Sequence, residues 1–188
     1  MQKSPPIKEI AMDDYDSPWK EALDVYFEPF VKLCFPYLAA GIDWSVAPKM
    51  LDKELLQIAP QSELGSRTVD KLVKVNLLAG DVGWLLVHLE VQNQRDTDFA
   101  SRMFVYFYRI RDKYNKRVVS LAVLGDAEPN WRPNRYQEAN FGCQVDFKFP
   151  IVKLVDYAGQ IEVLERSTNP FASIILAHLA TMQTANDP

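Results

Sequence analysis

The sequence predicts an α/β fold, and three observations carry that reading. Two runs near the middle of the 188-residue chain, Arg67–Val75 and Trp84–Gln92, recur in β-branched and large apolar residues with a period near two, as strands do. Two others, Trp19–Leu33 and Phe99–Ile110, space their apolar residues as helices do. Helix-like and strand-like runs alternate along the chain, and a hydrophobic fraction of 48% suits one globular domain with a sizeable core.

The elements follow in order. Met1 to Asp16 is polar, acidic and proline-containing, and is expected to be a mobile lead-in. Ser17-Pro18 signals a helix start, with Ser17 as N-cap and Pro18 in the first turn. Trp19, Leu23, Tyr26, Phe27, Phe30 and Leu33 continue that helix to Phe35, and Pro36 ends or kinks it. Met50 to Ile58 reads as a short helix or irregular strand closed by Pro60. The two central strands come next, joined by a segment whose turn signals are Gly80-Asp81 and Gly83.

A helix starts after Asp96-Thr97-Asp98, with Phe99, Met103, Tyr106 and Ile110 as its core stripe. Val118–Leu124 is a third clear strand, stopped by Gly125, and Pro129–Arg135 reads as a loop packed over the sheet edge. Cys143, Val145, Phe147 and Phe149 alternate with polar residues as in a half-buried strand, and a further strand is expected over Val152–Tyr157. Asn169-Pro170 opens a strongly apolar helix containing Phe171, Ile174, Ile175, Ala177, His178 and Leu179, which either docks on the sheet or marks where a longer protein was cut. The expected organisation is a lead-in over 1–16, a domain over 17–165, and the start of a truncated helical region over 166–188.

Charge and cysteines bound the function classes. The net charge of −4 excludes a global basic field for nucleic acid. Its distribution is uneven. Seven acids stand against two lysines from Lys8 to Glu28, and six bases against one acid from Arg102 to Arg117. Arg67, Lys71 and Lys74 form a second basic cluster. These bases, Arg102, Arg109, Lys71 and Lys74 among them, are either a solvated surface or a phosphate-facing one. Cys34 and Cys143 lack zinc spacing and are expected to be reduced core residues. With no apolar leader and no run of membrane-spanning length, the expected location is the cytoplasm, with no membrane contact.

The candidate chemistry lies on the central strands. Glu90 and Gln92, two apart on one strand, share a face with His88. A hairpin centred on Gly80 sets Asp70 opposite Glu90, and one centred on Asp81 sets it opposite Gln92. Either way Asp70, Glu90 and Gln92 share one face, while Leu85, Val87, Leu89 and Val91 form the opposite, core face. Converging carboxylates suit a hard divalent cation such as Mg2+, with the Val91 carbonyl as a further ligand if the strand is an edge there. Such an ion makes a water nucleophilic and polarises a phosphate oxygen. Gln92 can position that water through its amide but brings no charge. Glu21 is either a fourth member of the site or an acid favouring its own helix dipole. A strand acid such as Asp70 is also a partner for Lys71 or Lys74.

The ordered set Trp19-Lys20-Glu21-Ala22-Leu23, Val69-Asp70-Lys71, His88-Leu89-Glu90-Val91-Gln92 and Arg102-Met103-Phe104-Val105-Tyr106 resembles the recombination-promoting nuclease and transposase-like branch of the PD-(D/E)XK nuclease superfamily, over about Asp16 to Leu124. The resemblance implies a restriction-endonuclease-like core, a mixed central sheet flanked by helices, and Mg2+-dependent (or Mn2+-dependent) hydrolysis of DNA phosphodiesters. It implies Asp70 and Glu90 as metal ligands, Gln92 in the position of the superfamily's lysine, and Glu21 as the helix acid. It also implies that Arg102 and Tyr106 support the site or meet phosphate. A fold of this kind that no longer cuts, and binds nucleic acid or protein, is the alternative. A homo-oligomer through the C-terminal helix is a third.

Overall fold

The computed structural model describes residues 16–58, 68–78 and 84–184, with no side-chain description at a few positions, Ser17 and Asp70 among them. The expected lead-in, the turn at Gly80, Asp81 and Gly83, and the expectations at Pro60 and Arg67 lie outside the described residues.

The helices α1 (Asp16–Cys34) and α2 (Pro36–Gly41) open the described chain. Pro36 therefore separates two helices. Within α1, Tyr26 leaves helical geometry (φ −118°, ψ 32°) one turn before Pro29, whose ring cannot donate to the preceding turn and crowds its carbonyl. Met50 to Ile58 resolves into both expected forms, a two-residue strand β1 (Lys49–Met50) and helix α3 (Asp52–Ile58). There follow β2 (Thr68–Asn76), β3 (Trp84–Gln92), α4 (Phe99–Tyr114) and β4 (Val118–Leu124).

Three departures mark the C-terminal third. Arg135–Asn140, expected to begin as loop, is strand β5, paired antiparallel with β6 (Cys143–Lys148) in a separate two-stranded ribbon. Its residues are mostly exposed, so it carries no apolar alternation to read; Tyr136 stacked on Phe104 of α4 at 5.0 Å anchors it. The strand expected over Val152–Tyr157 is only β7 (Ile151–Lys153), after which Leu154–Gln160 winds into a 3-10 turn leading to α5 (Ile161–Glu165). Cys143, expected in the core, is exposed at the ribbon's turn, whereas Cys34 is buried. Helix α6 (Pro170–Thr184) starts as read: Asn169 Oδ1 accepts the Phe171 N–H at 2.9 Å.

The sheet runs β1-β2-β3-β4-β7, antiparallel across β1/β2/β3 and parallel across β3/β4/β7. The chain is thus mixed α/β, a five-stranded mixed sheet flanked by helices. One face, carrying Val73, Val75, Val87, Leu89, Val91, Leu121 and Val123, packs on α1 and α6 through Leu23, Phe27, Phe30, Phe171 and Ile175. The other is covered by α3 and α4, where Tyr106 and Ile110 meet Leu72 and Leu86, and Phe99 and Met103 meet Ala122 and Leu124. The stripe of α6 is thereby used within the chain, against α1. Among the described residues no helix is long and apolar enough to cross a membrane.

Candidate functional site

The β2/β3 register opposes Asp70 to Glu90, Leu72 to His88 and Thr68 to Gln92. This is the Gly80-centred pairing of the two that the turn signals allow. Positions 70, 88, 90 and 92 therefore share a face, and the aliphatic set Val87, Leu89 and Val91 is the opposite, core face.

The acidic face is not an open surface. Helix α4 lies over it, and Glu90 and His88 are 0% exposed and Gln92 4%. A carboxylate so buried needs a positive partner. Arg102, one turn into α4, supplies it: its Nη2 donates to Glu90 Oε2 at 3.3 Å and to Gln92 Oε1 at 2.9 Å. Its Nη1 donates to Asp96 Oδ2, and its guanidinium lies over the Phe99 ring at 5.3 Å. Gln92 Nε2 donates to the Gln94 carbonyl at 2.8 Å, which turns the amide oxygen toward Arg102. Two oxygens from alternate positions of β3 thus converge on one cationic nitrogen.

Asp96 was legible only as a capping residue. The Asp98 side chain makes no capping bond, and Asp96 Oδ1 instead accepts the Asp98 N–H at 2.8 Å. Burial works to raise the Asp96 pKa, but the hydrogen bonds from Arg102 and Asp98 and the charge of Arg102 hold it below the usual carboxylate range.

His88 completes the buried row. Its Nδ1 is 3.2 Å from Ser120 Oγ, its Nε2 is 3.6 Å from Glu90 Oε1, and Tyr106 meets it edge-on at 5.4 Å. Burial pushes its pKa down from 6.5 to about 3, and the charge of Arg102 adds to the effect, so it is neutral at pH 7.

The structure reassigns several expected residues. Lys71, expected to meet phosphate or pair with Asp70, is fully buried on the core face. Its Nζ donates to Asp24 Oδ1 at 2.5 Å and Asp52 Oδ2 at 2.7 Å, clamping α1 and α3 onto β2. No DNA phosphate reaches it there. The strand edge required for a free Val91 carbonyl is absent, because β3 is paired at Val91 with Val69 on one side and Val123 on the other. Glu21 is exposed on α1, the helix that packs on the face opposite Glu90, so α1 does not bring it to the buried side of Glu90. Arg109 is half-buried, with Nη1 3.4 Å from the Ile58 carbonyl, and ties α4 to α3; Lys74 is half-buried on β2. Among the described residues no group of three or more His, Cys, Asp or Glu side chains is gathered for a metal ion. The convergent oxygens are one carboxylate and one amide, both already bonded to Arg102, with Asp70 at the facing register position.

A second buried ion pair lies at the C-terminal ends of β4 and β7, where Lys153 Nζ donates to Asp126 Oδ2 and sits 5.4 Å from the Trp131 ring centre. The Trp131 loop packs against Phe99, as expected of a loop over the sheet edge.

No family model, curated protein or solved structure matches the chain.

Proposed function

We propose that the chain is a metal-dependent DNA endonuclease of the PD-(D/E)XK superfamily, in its recombination-promoting nuclease and transposase-like branch. It would act in the cytoplasm on DNA tied to recombination or mobile elements. The observation that carries this reading is the convergence of Glu90 Oε2 and Gln92 Oε1 on one positive nitrogen, with Asp70 directly opposite Glu90 in the strand register. The order α1, antiparallel β2/β3, α4 and β4 parallel to β3 supports a restriction-endonuclease-like core, since the four segments that carry the resemblance occupy its helix, hairpin and crossover.

On this reading Asp70 and Glu90 would hold Mg2+ or Mn2+, which when bound would supply Lewis-acid activation of a water and of a phosphate oxygen. Gln92 would position that water through its amide, without adding charge. Arg102, Lys74 and Arg109 are the bases left to face phosphate once Lys71 is committed to the core. Glu21 and the Val91 carbonyl carry no part in it.

The test is nicking of supercoiled plasmid by purified protein with Mg2+ or Mn2+, beside Asp70→Ala and Glu90→Ala. Conversion to open-circular or linear DNA by the parent and by neither variant is expected. Cleavage persisting in both variants rejects the assignment. The burial of Glu90 beneath α4, with Arg102 across it, favours a second reading: a nuclease-like fold that binds nucleic acid or protein and does not cut. That reading predicts retained binding with no metal-dependent nicking.

A further inference from the structure

The bases at the C-terminal end of α4 gather where three elements meet. From Arg109 to Arg117 five bases stand against one acid, Asp112, in a chain of net charge −4. Arg111, Lys113, Lys116 and Arg117 are exposed. Across the sheet, Lys49 of β1 is opposite Lys74 of β2, Lys74 opposite Leu86 of β3, and Leu86 opposite Val118 of β4, next to Arg117. That row crosses three strand spacings, about 14 Å, and lies about 13 Å along β3 from Glu90. Tyr114 of α4 packs against the cluster of Leu72, Leu86 and Ile110, which brings the last turn of the helix to the same row. The acids that face it are Asp112 and Glu54 of α3, whose charge reaches Tyr114, while Asp52 is spent on Lys71. Among the described residues Lys49, Arg111, Lys113 and Arg117 form no ion pair.

Local structure accounts for two of these bases: the negative end of the helix dipole favours Arg111 and Lys113 in the last turn. It does not account for the others. Lys116 and Arg117 lie beyond the C-cap Asn115, and Lys49 and Lys74, like charges directly opposite on a ladder, repel one another. An anion set over the row relieves that repulsion. Tyr108, 58% exposed and three residues before Arg111 on the same helix face, adds a hydroxyl for a phosphate or sugar oxygen. We propose that Lys49, Lys74, Arg111, Lys113, Lys116 and Arg117 form a docking surface for the phosphate backbone of duplex DNA. At 3.4 Å per nucleotide of one strand, a row of about 14 Å spans about four phosphates. The proposal rests on the DNA reading above but on no metal ion: it places the backbone contact away from Glu90, and it holds whether or not the chain cuts.

The experiment is fluorescence anisotropy of a short labelled duplex with the full chain in EDTA, between about 50 and 200 mM salt. The triple variant Arg111→Gln, Lys113→Gln, Arg117→Gln is expected to flatten the slope of log K against log salt by about 2.7, at about 0.9 per phosphate contact. The control triple Lys20→Gln, Lys148→Gln, Arg166→Gln removes the same charge elsewhere and is expected to keep the parent's slope. All six substituted side chains are exposed, so the fold is retained in both. Equal losses in the two variants overturn the proposal, as does no binding by the parent at the lowest salt. Polyglutamate that competes as well as unlabelled duplex overturns it in favour of an acidic polypeptide. On the parent alone, the duplex is expected to protect Lys49 and Lys113 from acetylation and to leave Lys20 and Lys148 open; any other pattern overturns the surface. With no metal present, failure here leaves the nicking assay to judge the metal reading, and failure of nicking leaves this surface standing.

Discussion

Arg102 Nη2 stands 3.3 Å from the carboxylate of Glu90, a side chain with no solvent exposure. Breaking a buried pair by removing one partner leaves an uncompensated charge and costs about 3–5 kcal/mol. Arg102→Met is expected to lose stability in that range by urea unfolding, and Glu90→Gln added to it to recover part of the loss. Losses that simply add in the double variant would sever the energetic link between the two residues.

The lowered pKa of His88 makes stability depend on pH. The folded protein holds its proton only near pH 3, against an ordinary value of 6.5 in the unfolded chain. Its contribution is therefore complete above about pH 6.5 and is lost as the pH falls toward 3. The unfolding free energy should decline through this window by up to about 1.4 kcal/mol per pH unit for this group. His178, whose pKa burial also lowers, adds a contribution of the same sign. Urea midpoints at several pH values for the parent and His88→Gln measure the effect; a slope unchanged in the variant contradicts it.

Lys71 bridges two acids of unequal value. Asp24 is 45% exposed, whereas Asp52 is 22% exposed and also accepts the Leu72 N–H at 3.3 Å. Asp52→Ala is expected to cost more than Asp24→Ala, which should fall within about 1 kcal/mol because exposed ion pairs contribute little. Lys71→Ala, which empties a buried site and strands both acids, should exceed either. Chemical denaturation of the three variants reports the order.

The two cysteines should separate cleanly under a thiol reagent. Burial pushes the Cys34 thiol up to about 12, while Cys143 is exposed on the ribbon. One equivalent is expected to react in the native protein and two in urea. A Cys143→Ser protein that still reacts quickly without urea would contradict this arrangement.

The strands and helices of the middle of the chain were legible because their periods are strong: β2, β3, α4 and β4 all lie where the pattern set them. Turn residues narrowed the register to two choices and parity sorted the faces. What lies above a face is not encoded in the strand. Glu90, Gln92 and His88 read as an outward polar row. The structure buries them because the stripe of α4 needs Leu72, Leu86, Ala122 and Leu124 on that same face. The role of Lys71 is hidden from the sequence for a related reason: its partners Asp24 and Asp52 are 47 and 19 residues away and become visible only when three elements meet. Asp96 offered no signal beyond its place before a helix, since its bond to Arg102 spans a non-helical turn.

The Trp19 Nε1–H donates to His178 Nδ1 at 3.2 Å across 159 residues, while His178 Nε2 donates to the Gly125 carbonyl at 2.8 Å. The first and last described helices are thus fastened to one another and to the end of a central strand. During synthesis the aromatic flank of the opening helix, Trp19 and Phe30 included, must wait for its cover until Phe171 emerges. Until that closure the exposed rings are surface on which an incomplete chain can aggregate.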